Sequence, residues 1–278
     1  MLVTPPRIVQ SLPAFSPVAS RLLAITSREH VSLKAVGDLI EMDPALSTDV
    51  LRLANSPLYA SRSEVTGILR AIAMMGLQAV RGMVLTVALR NFSRSATAAP
   101  VFRQCWRHSL ACALLSSDLA QVNMIERDTA YSLGLLHDSG RLALLAASPV
   151  LYSRLLLAGA PSSEEMLIIE REIFDMDHCE VGDWLADSWN LPAEFRRVMA
   201  HHHEPAGGSN ERGTAFIVHM ACELADMAGF PSWGPPKEWD ISKLEACLPN
   251  AGSAILDAGE LIPRTAEGIN SLECTLQL

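Results

Sequence analysis

The sequence predicts an all-α protein folded as two helical lobes. Apolar residues recur at helical spacing through almost every segment, and strand signals are scarce. The interior is aliphatic, with 49% hydrophobic but only 5% aromatic residues, and Leu and Ala, both good helix formers, dominate. Helix starts and stops are marked at short intervals. A chain of 278 residues is long enough to bury a large core.

The elements follow in order. Ser32 is an N-cap before "LKAVGDLIEM". Asp43 caps "ALSTDVLRLAN", with Pro44 at the first helical position, and Asn55-Ser56-Pro57 stops that helix. "EVTGILRAIAMMG" reads as a helix ending at Gly76, followed at once by "LQAVRGMVLTVALRNF", apolar on most sides and so expected to be buried. Together these make a first lobe of about five helices. The small-residue break "SRSATAAP", residues 93–100, sets a boundary between lobes at 1–95 and 96–278. The second lobe begins with "VFRQCWRHSLACALLSSDLAQ" and continues through "GLLHDSGRLALL". Helices near 161–173 and 177–189 come next, then one started by Pro192 and running to "HHH". A loop holds Gly207, Gly208, Ser209 and Asn210, a strong helix follows in "GTAFIVHMACELADMAG", and a proline-rich tail leads to one or two short helices.

Charge narrows the function classes. The net charge is −9. Residues 1–100 hold ten basic and six acidic side chains, while the remainder holds twelve basic and twenty-five acidic. A general nucleic-acid binder wants a basic face, so this balance argues against one. Arg62, Arg70, Arg81, Arg90 and Arg94 read as a solvated helix face. Six cysteines show no CxxC pair, and Cys105, Cys112 and Cys222 sit in helical apolar patterns as expected free thiols. With no signal-peptide layout and no run of 18 apolar residues, neither secretion nor membrane insertion is expected, and a cytoplasmic location is.

One constellation carries chemistry. His108, then His137-Asp138 29 residues later, then His178, His202-His203 and Asp226 each lie on or beside a predicted helix. Neighbours on a helix point about 100° apart, so His137 and Asp138 can both reach one ion at a helix flank. Mixed imidazole and carboxylate donors suit Fe, Mn, Ni, Zn or Co rather than Ca. A second ion, bridged by Asp138, would take His178, His202 and His203 and activate water against a phosphate ester. Each residue also has a plain structural reading. His108 reads as a core histidine, His178 in "DMDHCE" as an exposed helix start, and His201–His203 as a helix C-terminus that suits the dipole. His30 and His219 read as structural, and Met74, Met75 and Met83 as core filler.

The order "His … His-Asp … Asp" resembles the HD superfamily of metal-dependent phosphohydrolases, which is all-helical. A closer resemblance is to the HD-related output domain (HDOD) family. "LPAFSPVASRLLAI", "LIEMDPALSTDVLRLANSPLY" and "AIAMMGLQAVRGMVLTVAL" are similar to its N-terminal half. "CWRHSLACALLSSDLA", "YSLGLLHDSGRLALL", "EVGDWLADSWNLP" and "HHEP" are similar to its HD-derived half. The resemblance runs from about residue 8 to 205 and weakens beyond, where Asp226 matches the last HD aspartate only by its place on a late helix. It implies a two-lobed helical fold and a regulatory output role in bacterial signalling, acting through a protein partner or a small ligand. The alternative it implies is a metal-dependent phosphohydrolase of nucleotides or phosphodiesters. Its ion or ions would sit on His108, His137, Asp138, His178, His202, His203 and Asp226. His137, Asp138 and Arg141 would be catalytic, Arg141 as a phosphate clamp. Arg141 replaces the lysine of the HD-GYP phosphodiesterases, and "HHHEPAGGSN" lacks their GYP, which argues against cyclic di-GMP hydrolysis more than against metal binding.

Overall fold

The structure, a computed structural model, describes residues 12–26, 31–59, 63–160, 162–204, 213–240, 242 and 257–277. Of the residues read above, His30, Arg62, Cys247 and the Gly207–Asn210 loop lie outside these. All regular structure among the described residues is helical.

The chain begins with α1 (Pro17–Thr26), α2 (Leu33–Glu41), α3 (Pro44–Ala54), α4 (Ile68–Met75) and α5 (Leu77–Phe92). Ser32 and Asp43 cap α2 and α3 through Ala35 N and Leu46 N at 3.4 and 3.0 Å. The helix expected from Glu64 starts only at Ile68. Asn55 explains the delay: its amide pairs with both backbone groups of Val65, at 2.8 and 2.9 Å, and holds that residue outside a helix. Gly76, at φ +90°, ends α4 and releases α5 without a spacer. α5 is buried on nearly every side, as its all-round apolar pattern predicts.

A 3-10 turn, Ser93–Ala96, joins α5 to α6 (Phe102–Val122), the longest helix described. α6 packs against α7 (Arg127–Leu136) and α13 (Thr214–Met227). α8 (Ser139–Ala147), α9 (Pro149–Ala158), α10 (Ser163–Phe174), α11 (His178–Ser188) and α12 (Ala193–His201) complete the sequence of short helices, with α11 packed between α8 and α12. Asp177 and Glu180 form a reciprocal capping box that fixes the start of α11. The tail differs from expectation. Instead of short helices alone, it contains the 19-residue α14 (Ala258–Leu276), which packs on α3 and α6 and buries Leu261, Ile269, Leu272 and Leu276. Proline reads as a breaker, but Pro263 lies in the second turn of α14, and burial of the apolar stripe beyond it outweighs the lost hydrogen bond.

Candidate metal centre

Two glycines set the geometry of the centre. A Cβ on Gly134 would stand 2.5 Å from the carbonyl oxygen of Cys112, and one on Gly140 would stand 1.9 Å from that of His178. Their bare backbones let α7 close onto α6 and α8 close onto α11. His137 and Asp138 lie between these two contacts. They do not share a helix flank as expected. His137 caps the C-terminus of α7 and Asp138 opens α8, so the pair occupies a bend between helices.

His108, His137, Asp138, His178 and His202 converge here, and each is at most 3% exposed. The ring of His137 is 5.4 Å from that of His108 and 4.9 Å from that of His202, which is 5.4 Å from His178 and 4.3 Å from His203. Asp138 Oδ1 points among them, 3.7 Å from His178 Nε2 and 4.0 Å from His202 Nε2, and has no hydrogen-bond partner. Asp226 stands apart from this hollow. Its carboxylate pairs with Lys237 at 3.0 Å and comes within 3.6 Å of His108 Nδ1, the nitrogen on the side of Phe230 O at 2.7 Å.

His178 is not the exposed helix start that its acidic surroundings suggest. It is 1% exposed and clamped by Glu170, whose Oε2 lies 2.9 Å from its backbone N and 2.5 Å from its Nδ1. Its Nε2 meets His203 Nε2 at 2.9 Å, so one proton links the two rings. Burial and Arg141 push the His178 pKa down, but Glu170 and Cys179 together outweigh them and hold it up at about 10. Burial and the charges of His178 and Arg141 push His203 down to about 2.

Arg141 is not free to clamp a phosphate. It is 1% exposed; its Nη1 donates to Glu170 Oε1 at 3.1 Å and to the Tyr152 hydroxyl at 3.2 Å. Its Nε is 3.0 Å from Asp138 Oδ2, a close ion pair not aligned as a hydrogen bond, and its Nη2 has no hydrogen-bond partner. Burial works against ionised Glu170, but His178 and Arg141 keep its carboxyl well below the usual range. One signal for this network lies in the sequence: Met166, Glu170 and Phe174 form the buried stripe of α10, with a carboxylate at a core position.

Sequence reading treated Cys112 and Cys222 as plain buried thiols. They are free thiols, but they enter the centre. Cys112 Sγ lies 3.4 Å from His108 Nε2 and 3.7 Å from Cys222 Sγ, which is 3.1 Å from His137 Nε2. These four form one group of donors within 4.8 Å of one another; His178, Cys179, His202 and His203 form a second. The four-residue spacing of His108 and Cys112 on α6 was the available signal, since it puts both on one helix face.

The chain belongs to the HDOD domain family, whose model matches residues 12–205. It is 26% identical over 189 residues to an uncharacterized protein of Treponema pallidum (strain Nichols), covering 66% of this chain and 36% of that protein. The chain thus spans about a third of the length of that curated relative. An HDOD domain protein from Geobacter sulfurreducens has a similar structure, with a TM-score of 0.77, 22% identity and 98% of each chain covered. A signal transduction candidate from Marinobacter aquaeolei VT8 gives 0.77 and 19%, covering 97% of this chain and 60% of that one. A phosphohydrolase candidate from Shewanella amazonensis SB2B gives 0.69 and 23%, with 96% of each covered. These structural likenesses show the fold. No described helix is long and apolar enough to cross a membrane.

Proposed function

We propose that this chain is a regulatory output module of the HDOD type, acting in signalling by binding a protein or a small ligand rather than by hydrolysis. Its lobes are assigned to 1–95 and 96–278. The observation that carries the reading is the pairing of Arg141 with Asp138, both buried. A phosphoryl-transfer site needs a cationic clamp that the substrate's phosphate can reach. Here the guanidinium is held by Asp138, Glu170 and Tyr152. Support for a binding role comes from the family and from the surface. The packed helices α2 and α4 leave Leu33, Leu69 and Met74 45–49% exposed, the kind of apolar surface a protein partner covers. The test is turnover of bis(p-nitrophenyl) phosphate with added Mn²⁺, for which the expected rate equals that of Asp138→Ala.

A second reading, a metal-dependent phosphohydrolase, is favoured by the unpartnered Asp138 Oδ1 facing His178 and His202. It is also favoured by a cavity of about 700 Å³ whose wall includes Cys179 and His203. The donor set of that half, three imidazoles with a thiol and a carboxylate, fits a divalent transition metal. Bound there, such an ion would supply an activated water. Residues 178, 202 and 203 would hold it, and Asp138 would orient it. Turnover abolished by Asp138→Asn would establish this reading instead.

A further inference from the structure

The regulatory reading leaves two cysteines of the centre unexplained. Cys112 comes from α6, one turn after His108, and Cys222 comes from α13. Their thiols face each other across 3.7 Å, with a histidine Nε2 3.4 Å from one and 3.1 Å from the other.

Three of the six donor–donor separations are close to the edges of a tetrahedral coordination shell, and all six are under 4.8 Å. Zn–S bonds of about 2.3 Å and Zn–N bonds of about 2.0–2.1 Å at tetrahedral angles give edges of about 3.8 Å between sulfurs and about 3.5 Å between sulfur and nitrogen. The observed 3.7 Å and 3.4 Å match these edges, and 3.1 Å falls slightly inside.

The histidines are oriented for ligation. His108 Nδ1 lies 2.7 Å from the carbonyl oxygen of Phe230, and His137 Nδ1 lies 2.7 Å from that of Gly134. Each carbonyl accepts the Nδ1 proton, which fixes the tautomer and turns the Nε2 lone pair inward. This is the supporting contact that ligating histidines make. In the other cluster His178 Nε2 and His203 Nε2 are taken up with each other at 2.9 Å.

We propose that His108, Cys112, His137 and Cys222 form a closed tetrahedral site for one borderline-soft divalent cation of the zinc class. Two thiolates select against the hard ions that carboxylate sites take. Four protein ligands leave no position for a reacting water. The site ties α6, the α7–α8 bend and α13 together. The inference deepens the regulatory reading of the same centre and rests on it for the role of the ion, as a staple rather than a catalyst.

The experiment uses the full chain with no histidine tag, stripped by chelator under reductant and titrated anaerobically with Co²⁺. The expected result is one equivalent bound, with tetrahedral d–d bands and a sulfur-to-cobalt charge-transfer band that Zn²⁺ abolishes. Cys112→Ser and Cys222→Ser should each diminish the charge-transfer band and weaken binding, while His203→Ala leaves the spectrum unchanged. An octahedral spectrum without the sulfur band, a spectrum surviving both serine substitutions, or a Cys112–Cys222 disulfide in the isolated chain would overturn the proposal. The spectrum of the unsubstituted chain decides the matter even if a variant fails to fold. Turnover is measured separately: a thiolate-free spectrum without turnover overturns the tetrahedral site alone, whereas turnover overturns the regulatory reading.

Discussion

Arg141 lies three residues after Asp138 and folds back so that its Nε stands 3.0 Å from Asp138 Oδ2, with both side chains buried. The acidic half of the HD pair is thereby neutralised from within its own helix. The same guanidinium reaches Glu170 on α10, so three charged groups share one buried network with Tyr152.

Removing the cation from this network leaves two buried carboxylates without it. Arg141→Met is expected to destabilise the fold by about 3–5 kcal/mol, the cost of breaking a buried pair from one side. Urea unfolding at neutral pH measures it. A loss under about 1 kcal/mol would fit an arginine held free for a ligand.

The network also makes a pH prediction. Glu170 is held below the usual carboxylate range because His178 and Arg141 outweigh its burial. A depressed folded pKa adds stability above the unfolded value of about 4.3, and that stability is lost as pH falls below it. Glu170→Gln should therefore be clearly destabilised from pH 5 to 7, and the wild type should converge toward it as pH falls to about 3. Urea midpoints for both proteins across this window check the sign. A gap that stays constant or widens on acidification would contradict it.

Gly140 makes the closest helix approach at the centre. Gly140→Ala would drive a methyl into the His178 carbonyl, and it is expected to cost about 3 kcal/mol or more by overpacking. Differential scanning calorimetry reads the effect.

If the thiolate site is filled, chelation should destabilise the protein. A ligand bound only by the folded state stabilises by about 2.7 kcal/mol at a hundredfold excess over its Kd. A lower melting temperature on adding chelator is expected for the wild type, and little change for Cys222→Ser. Equal shifts in both would place the stabilising ion elsewhere.

The helices were legible because their signals are local. Ser32, Asp43, Gly76 and Pro192 announce boundaries through their own backbone chemistry, and all four stand at helix ends. The start of α4 was hidden because Asn55 decides it by holding Val65, ten residues along the chain. α14 was expected only as one or two short helices, and the apolar stripe Leu261, Ile269, Leu272 and Leu276 that α14 buries is recognisable only once its packing is known. Within the site, the order of His108, His137, Asp138, His178, His202 and His203 was readable as a motif. The burial of His178 was not, since Glu170 comes from another helix and the flanking acids belong to its own cap. Cys222 was equally obscure. A lone cysteine in an apolar helix looks like core until α6 and the end of α7 bring Cys112 and His137 to it.

The regulatory assignment is tested most directly by hydrolysis of bis(p-nitrophenyl) phosphate by the full chain, purified without a histidine tag and supplied with Mn²⁺, Fe²⁺ or Zn²⁺. With Arg141 and Asp138 paired in the interior, the expected rate is indistinguishable from that of Asp138→Ala with every metal. A metal-dependent rate that Asp138→Ala abolishes would contradict the assignment and make this centre catalytic.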